Sequence, residues 1–388
     1  MTKYFVWLQL CLGAGNINAK TAVETFGNAK VIFETDKKEL AKSGVFSSAE
    51  LKRIDKTKIS DAENIIEICN KNGIEIITFS SEKYPFCLSV IDNPPLVLYT
   101  KGRFPDFDSI PSISIVGPRK VSEFGKKAAF SLGYRIARSG MTVVSGGALG
   151  TDTYAHAGAL KAEGVTVLVM ACGILNDYLK ENEKLRKTVS ENGCLVSEYP
   201  PFCDAKRFNF PIRNRIISAL TLGTVVVEAS AKSGALITAK HAYEQGRDVF
   251  VIPNSPNDKS FEGSNALLRD GAKPLLDTSD IFNEYILRFP DKINIERAFT
   301  GKIIESAKVE SIQNSKNTEK IKKIEKNFNE TLSKEAKIVY NYLDKQKFLP
   351  EDIIGCGLSS QQIISALTEL EMEFMIKALP GGMYEKCN

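Results

Sequence analysis

The stretch Lys206-Arg207-Phe208-Asn209-Phe210-Pro211-Ile212-Arg213-Asn214-Arg215-Ile216-Ile217 concentrates reactive and charged side chains. It holds four basic residues and no acid. Pro211 suits the first turn of a helix, where a missing N–H costs nothing. At about 100° per residue, Ile212, Ile216, Ile217, Ala219 and Leu220 make the buried stripe of that helix. Arg213 falls inside the stripe; Asn214 and Arg215 fall outside it. An arginine on the core side of a first turn needs an anion, because an unpaired buried charge is costly. Two partners are open: an internal carboxylate, for which Glu228 is the candidate, or an anionic ligand. Phe208 and Phe210 interleave with the cations. That pattern suits single-stranded nucleic acid, whose bases stack on rings while its phosphates pair with Arg and Lys. Core packing explains either ring taken alone.

Three small-residue turns precede helical patterns: Gly117-Pro118-Arg119, Ser145-Gly146-Gly147-Ala148-Leu149-Gly150-Thr151-Asp152 and Ser233-Gly234-Ala235-Leu236-Ile237-Thr238. Small residues let an anion reach the backbone, and a helix start offers free N–H groups with partial positive charge. Each turn alone also reads as a plain strand-to-helix connection. The G-x-G-x-x-G fingerprint is absent after Val116, and G-x-x-x-x-G-K-[ST] is absent altogether, so no dinucleotide cofactor is expected. Asp152 and His156 stand four apart without a nucleophile. Glu228 ends an apolar run where a general base could sit, with no second acid matched to it. No catalytic residue is assigned.

The elements that must position these residues follow a regular rhythm. Apolar runs at Ser112–Val116, Thr142–Ser145, Val165–Met170, Cys194–Ser197, Thr224–Glu228 and Val249–Ile252 read as strands buried on both faces. Helical stretches lie between them, with Gly140, Gly164, Gly193 and Gly246 as stops. Phe124, Ala128, Leu132 and Ile136 form one apolar stripe. The series predicts an α/β fold with a doubly wound parallel sheet, whose ligands sit beyond the carboxyl ends of the strands. Residues 1–60 read as short helices. Their Leu12-Gly13-Ala14-Gly15 turn is either a helix-hairpin-helix turn offering N–H groups to phosphate or a plain interhelical turn. The α/β part spans 61–285. Residues 286–333 read as a charged linker, with Gln313–Lys326 its most polar part. Residues 334–388 give two helices and a hairpin about Pro380-Gly381-Gly382, the plan of a winged-helix domain.

Composition sets the outer bounds. The 388 residues carry 51 Lys plus Arg against 47 Asp plus Glu, a net charge of +4 that excludes binding by bulk positive charge. The longest apolar run, Val165 to Leu175, contains Gly173 and falls short of the ~20 residues that span a bilayer. Tyr4-Phe5-Val6-Trp7-Leu8 reads as part of an amphipathic helix rather than a signal peptide. Eight Cys without a C-x-x-C pair, and only two His, argue against a zinc site or a disulfide framework. A cytoplasmic protein with reduced thiols is expected.

Taken together and in order, these segments resemble the DprA (Smf) family, the DNA-processing proteins of bacterial transformation. The matching stretches are Ser114-Ile115-Val116-Gly117-Pro118-Arg119, the Ser145–Asp152 turn, Phe210–Ile217, Val225-Val226-Val227-Glu228-Ala229, Ser233–Ala239, and Gly263-Ser264-Asn265 with Asp270-Gly271-Ala272. The resemblance implies an extended Rossmann-like core, single-stranded DNA binding, homodimer formation and loading of the RecA recombinase, without turnover chemistry. It also implies a DNA pocket built from Gly117, Arg119, Gly146, Gly147, Lys206, Arg207, Phe210, Arg213, Asn214, Arg215, Ser233, Gly234 and Thr238. Pro118 stands where the family has Ser, which removes a hydroxyl and an N–H donor; Thr151 replaces the family's Ile. The tail helix Ser359–Leu370 has no Lys or Arg, so it fits a protein contact better than a DNA groove. The alternative is an enzyme similar to the Rossmann-like nucleotide phosphoribohydrolases. Against it, the turn begins with Ser145 rather than Pro, and the Glu expected after Gly150-Thr151 is lacking.

Overall fold

The computed structural model describes residues 1–300, 333–342, 347–353, 356–372, 376–379 and 383–386. The chain forms two compact units, Met1–Gln313 and Asn314–Asn388. The first begins with α1 (Thr2–Leu12), α2 (Asn18–Phe26), α3 (Ala29–Glu34), α4 (Lys37–Lys42), α5 (Ser48–Lys56) and α6 (Ile59–Lys71). Then come β1 (Glu75–Thr78), α7 (Phe86–Ser89), β2 (Val97–Gly102), β3 (Ser112–Val116), α8 (Glu123–Arg138), β4 (Thr142–Ser145), α9 (Thr151–Lys161) and β5 (Thr166–Met170). The series continues through α10 (Glu183–Asn192), β6 (Cys194–Ser197), α11 (Asn209–Ala219), β7 (Gly223–Val226), α12 (Gly234–Glu244) and β8 (Asp248–Val251). It closes with α13 (Glu262–Arg269), β9 (Lys273–Pro274), α14 (Ser279–Tyr285) and α15 (Ile295–Phe299).

The nine strands make one sheet in the order β1-β2-β6-β5-β4-β3-β7-β8-β9. All pairings are parallel except those of β2, which runs antiparallel to both β1 and β6. From β3 the chain steps outward through β4, β5 and β6, then α11 carries it back to β7 on the other side of β3. The strand order therefore reverses between β3 and β7, which is where open α/β sheets bind ligands.

Alternate strand residues serve opposite faces. Ile113, Ile115, Val143 and Val225 pack under α8 and α9, whereas Val116, Val144, Val167 and Val226 pack under α11 and α12. This two-sided burial is why the strands lack polar alternation. Helices α8 and α9 meet backbone to backbone: a Cβ at Gly133 would strike the Ala155 carbonyl, and one at Gly158 the Phe130 carbonyl.

Residues 1–71 share a core with the sheet. Phe5, Leu8, Ile32 and Leu40 join Tyr99, Leu168, Met170 and Leu195 in a single cluster, and no packing gap falls at residue 60. Residues 286–300, expected to open a linker, are packed as well: Ile293 and Ala298 are buried in the cluster under α8. The Gln313–Lys326 stretch lies outside the described residues. In the second unit, α16 (Lys334–Tyr342) and α17 (Ser360–Met372) accompany a three-stranded antiparallel sheet of β10 (Lys347–Phe348), β11 (Ile376–Leu379) and β12 (Met383–Lys386). Ala336, Val339, Ile363, Leu367 and Leu370 form its core. The Pro380-Gly381-Gly382 turn lies outside the described residues. Among the described residues no helix is long and apolar enough to cross a membrane.

A buried ion pair fixes the underside of α11. Arg215 Nη2 donates to Glu198 Oε1 at 2.8 Å, with both side chains 2% exposed. Gly15 N donates to the same oxygen at 3.0 Å, so this N–H group of the N-terminal turn is used internally. Arg215 Nε and Nη1 and Glu198 Oε2 have no hydrogen-bond partner among the described residues. Such a pair is a weak net stabiliser, yet losing one half strands the other charge. Arg215→Ala should therefore cost about 3–5 kcal/mol in urea unfolding, while the double change Arg215→Met with Glu198→Leu should recover most of that loss.

A second expectation concerns pH. His156 on α9 is fully buried, with Nδ1 2.7 Å from Thr166 Oγ1 and Nε2 2.8 Å from the Gly146 carbonyl. Burial lowers its pKa to about 4. The unfolded chain, with a histidine pKa near ~6.5, binds the extra proton first. The stability held by the neutral ring is thus complete above ~6.5 and is lost as pH falls to about 4. The urea midpoint should drop across that window, and drop less steeply in His156→Gln.

Candidate nucleic-acid interface

A cavity of about 600 Å³ opens at the switch point between β3 and β7. The end of β3 supplies Gly117, Pro118 and Arg119; α11 and the loop before it supply Arg207, Phe210, Arg213 and Asn214. The turn into α12 supplies Lys232, Ser233, Gly234 and Thr238. Elements far apart in sequence meet because α11 must cross from one half of the sheet to the other. Its N-terminus is tied down by Asn209, whose Nδ2 donates to the Ala171 and Asp204 carbonyls at 3.0 and 3.2 Å.

Arg213 is the floor of the site and is 4% exposed. Its Nη1 donates to the Val169 carbonyl, and its Nε donates to Asn214 Oδ1 at 3.2 Å. Its anion is Asp152, not Glu228. A Cβ at Gly146 would strike both Asp152 Oδ2 and the terminal nitrogens of Arg213, so only glycine fits between the two groups over the β4 turn. Burial pushes the Asp152 pKa up against the pull of Arg213 and of the Ala148 N–H, which donates to Oδ2 at 3.2 Å. Burial likewise lowers that of Arg213, against the pull of Asp152. Glu228, 2% exposed, instead holds the start of α8, accepting from Ser122 N at 3.2 Å and from Ser122 Oγ.

Above this floor the site is open and positive. Arg119, Arg207 and Lys232 line the cavity, are exposed, and form no ion pair with a carboxylate among the described residues. With Arg213 they set four cations against the single carboxylate of Asp152. The Arg119 guanidinium lies 4.9 Å from the centroid of the Phe210 ring, and Tyr178 lies 5.5 Å from the same ring. An exposed cation–π contact is worth only about 0.5–1 kcal/mol, so Arg119 can leave the ring for a phosphate at small cost. Ser233 caps α12 by accepting from Ala235 N at 3.3 Å, and the space beside Gly234 is empty. The Pro118 carbonyl accepts from Thr151 N and Oγ1, both at 3.3 Å, which locks the β3 and β4 turns together.

Four expected site residues stand elsewhere. Arg215 is buried beneath α11 in its pair with Glu198. Lys206 lies outside the cavity lining. Gly146 and Gly147 lie outside the cavity lining: in their turn the Gly146 carbonyl is held by His156, the Gly147 and Ala148 carbonyls by Asn182, and the Ala148 N–H by the Asp152 carboxylate. Conversely, Asp152, Tyr178 and Lys232 line the cavity without having been assigned to it. Lys232 directly precedes the Ser233-Gly234 turn and was the most accessible of the three to sequence reasoning.

The family model for DNA recombination-mediator protein A matches residues 75–286. DNA processing protein DprA of Bacillus subtilis is 40% identical over 220 residues, covering 57% of this chain and 74% of that protein. The Streptococcus pneumoniae protein is 38% identical over 202 residues, 52% of this chain and 71% of its own length. Its X-ray structure superposes with a TM-score of 0.63 at 31% identity, covering 73% of this chain and 98% of that one. DNA processing protein A of Helicobacter pylori, whose single-stranded DNA binding mode has been addressed structurally, gives a TM-score of 0.51 at 27% identity over 55% of this chain and 96% of that one. With a match running from β1 to the end of the main sheet and its helices, the chain belongs to the DNA recombination-mediator protein A family, the DprA/Smf proteins.

Proposed function

We propose that the cavity at the β3–β7 switch point binds single-stranded DNA. The observation that carries this is the union of three exposed, carboxylate-free cations with one recessed aromatic ring, Phe210. The cations suit a phosphate backbone, and the ring suits a base. A duplex keeps its base faces stacked inside, out of reach of a side chain recessed in a cavity of this size; an unpaired strand can turn a base in. Arg119, Arg207 and Lys232 hold phosphates, Arg213 fixes the floor, Phe210 receives a base, and the Ser233–Gly234 turn offers backbone to the strand. Kinship with the DprA/Smf proteins supports the finer reading: a cytoplasmic recombination mediator, acting as a homodimer, that protects incoming single strands and loads RecA onto them during transformation.

Fluorescence anisotropy with oligo-dT and a matched duplex tests the binding. Oligo-dT should bind more tightly, with a log–log salt slope of about −2, from roughly 0.7 for each of three phosphate contacts. Arg119→Ala and Arg207→Ala should each weaken oligo-dT binding and flatten the slope by about 0.7. Both side chains are exposed and unpaired, so melting temperatures should stay at the wild-type value. Equal affinity for duplex and single strand would overturn the assignment.

A further inference from the structure

The loop that joins β6 to α11 forms one lip of the cavity. Ala205 and Arg207 line the cavity, while their chain neighbours Lys206 and Phe208 do not. Phe208 is 62% exposed. It occupies the N-cap of α11, where its side chain makes no capping hydrogen bond. Ser, Thr, Asp and Asn are favoured at that position because they satisfy a free N–H, which phenylalanine cannot do. The ring therefore serves neither the core nor the helix end, and neither packing nor capping accounts for it. Lys206 Nζ sits 5.9 Å from its centroid, and Lys206 has no carboxylate partner among the described residues. An exposed ring and a free cation thus stand side by side on the lip, flanking the cavity-lining Arg207 in the chain.

We propose that Lys206 and Phe208 form an outer nucleotide subsite. A base just outside the cavity stacks on Phe208, and the phosphate linking it to the nucleotide inside pairs with Lys206. The proposal rests on the single-strand reading above and extends the footprint over the lip. Stacking accepts any base, so the subsite adds affinity and length dependence without sequence preference. Charge complementarity and continuity with the cationic cavity favour this occupant over a protein surface.

The test is a ladder of oligo-dT lengths, read by anisotropy against the full chain and Phe208→Ala, Phe208→Leu and Phe208→Trp. Phe208→Ala and Phe208→Leu should lose about tenfold affinity for the longer rungs, within the range for one stacked base. The shortest rungs, which the cavity holds by itself, should be unaffected, and Phe208→Trp should bind like wild type. An abasic site next to the cavity nucleotide should erase the difference between wild type and Phe208→Ala. If Phe208→Ala or Phe208→Leu binds every length like wild type while wild type still prefers oligo-dT to duplex, the outer subsite is wrong and the cavity reading stands. A loss equal at all lengths would move Phe208 into the cavity and also overturn the subsite. Altered self-association of Phe208→Ala with unchanged DNA affinity would assign the ring to a second copy instead. Failure of wild type itself to prefer single strands removes the reading underneath.

Discussion

An arginine with almost no exposed surface cannot stand uncompensated, and the ligand edge of the sheet is arranged around that constraint at Arg213. Its guanidinium donates to the Val169 carbonyl near the end of β5 and is compensated electrostatically by the Asp152 carboxylate at the start of α9. The space between the two side chains admits only a residue without a side chain, Gly146, and the β4 turn holds Asp152 on the Ala148 N–H. The turn in turn is held by His156 and Asn182 from behind and by the Pro118 carbonyl in front. One donor of this small-residue turn, the Ala148 N–H, is therefore already taken by an inside carboxylate. The open coordination is left to side chains that make no internal pair, namely Arg119, Arg207 and Lys232.

This explains where sequence reasoning succeeded and where it stopped. The parallel strands were legible because each is rich in Val, Ile and Leu and bounded by a helix, so β3 to β8 emerge within a residue or two of their expected limits. Strands β1, β2 and β9 were not, because they fall outside the strand–helix–strand rhythm: β2 returns antiparallel between β1 and β6, and β9 has only two residues. The apolar stripe of α8 begins later than its spacing suggests, since Phe124 is 48% exposed while Ile136 is fully buried. Within the site, the need of Arg213 for a partner was readable from helical phase. The identity of that partner was not, since Glu228 and Asp152 both follow small turns at the same sheet edge and only the backbone path separates them. Arg215 shows the limit of the method more sharply. Phase placed it off the buried stripe of α11, yet the loop after β6 and the N-terminal turn enclose that flank too. A one-helix pattern carries no trace of neighbours contributed from nearly two hundred residues away, the separation of Gly15 from Glu198.

Charge follows the same logic of position over sum. Ion pairs such as Lys3–Glu63, Lys37–Asp55, Lys71–Glu67 and Lys83–Glu75 lie on exposed surface, where they contribute little and are screened. At physiological salt the field of an exposed charge fades over about 8 Å. A strand arriving at the β3–β7 crevice therefore meets the local set of four cations and one carboxylate, not the net +4 of the whole chain. A near-neutral protein can hold a polyanion when its opposite charges are spatially separated, as they are at this cavity.

The two arginines of α11 divide the work of a binding helix between them. Two residues apart on a helix means roughly 200° of rotation, so Arg213 and Arg215 leave α11 on nearly opposite sides. Arg213 ties it to the sheet edge through Val169; Arg215 ties it to Glu198, and through that carboxylate to the turn after α1. Asn214, between them, and Phe210, one turn earlier, are left facing the cavity. A helix clamped on both flanks presents its free face with little freedom to lose, which lowers the ordering cost of binding. The N-terminal helices are in this sense part of the ligand site: their turn contributes no contact to the cavity, yet it supplies the N–H that helps hold Glu198, and Glu198 holds the helix that carries the ring.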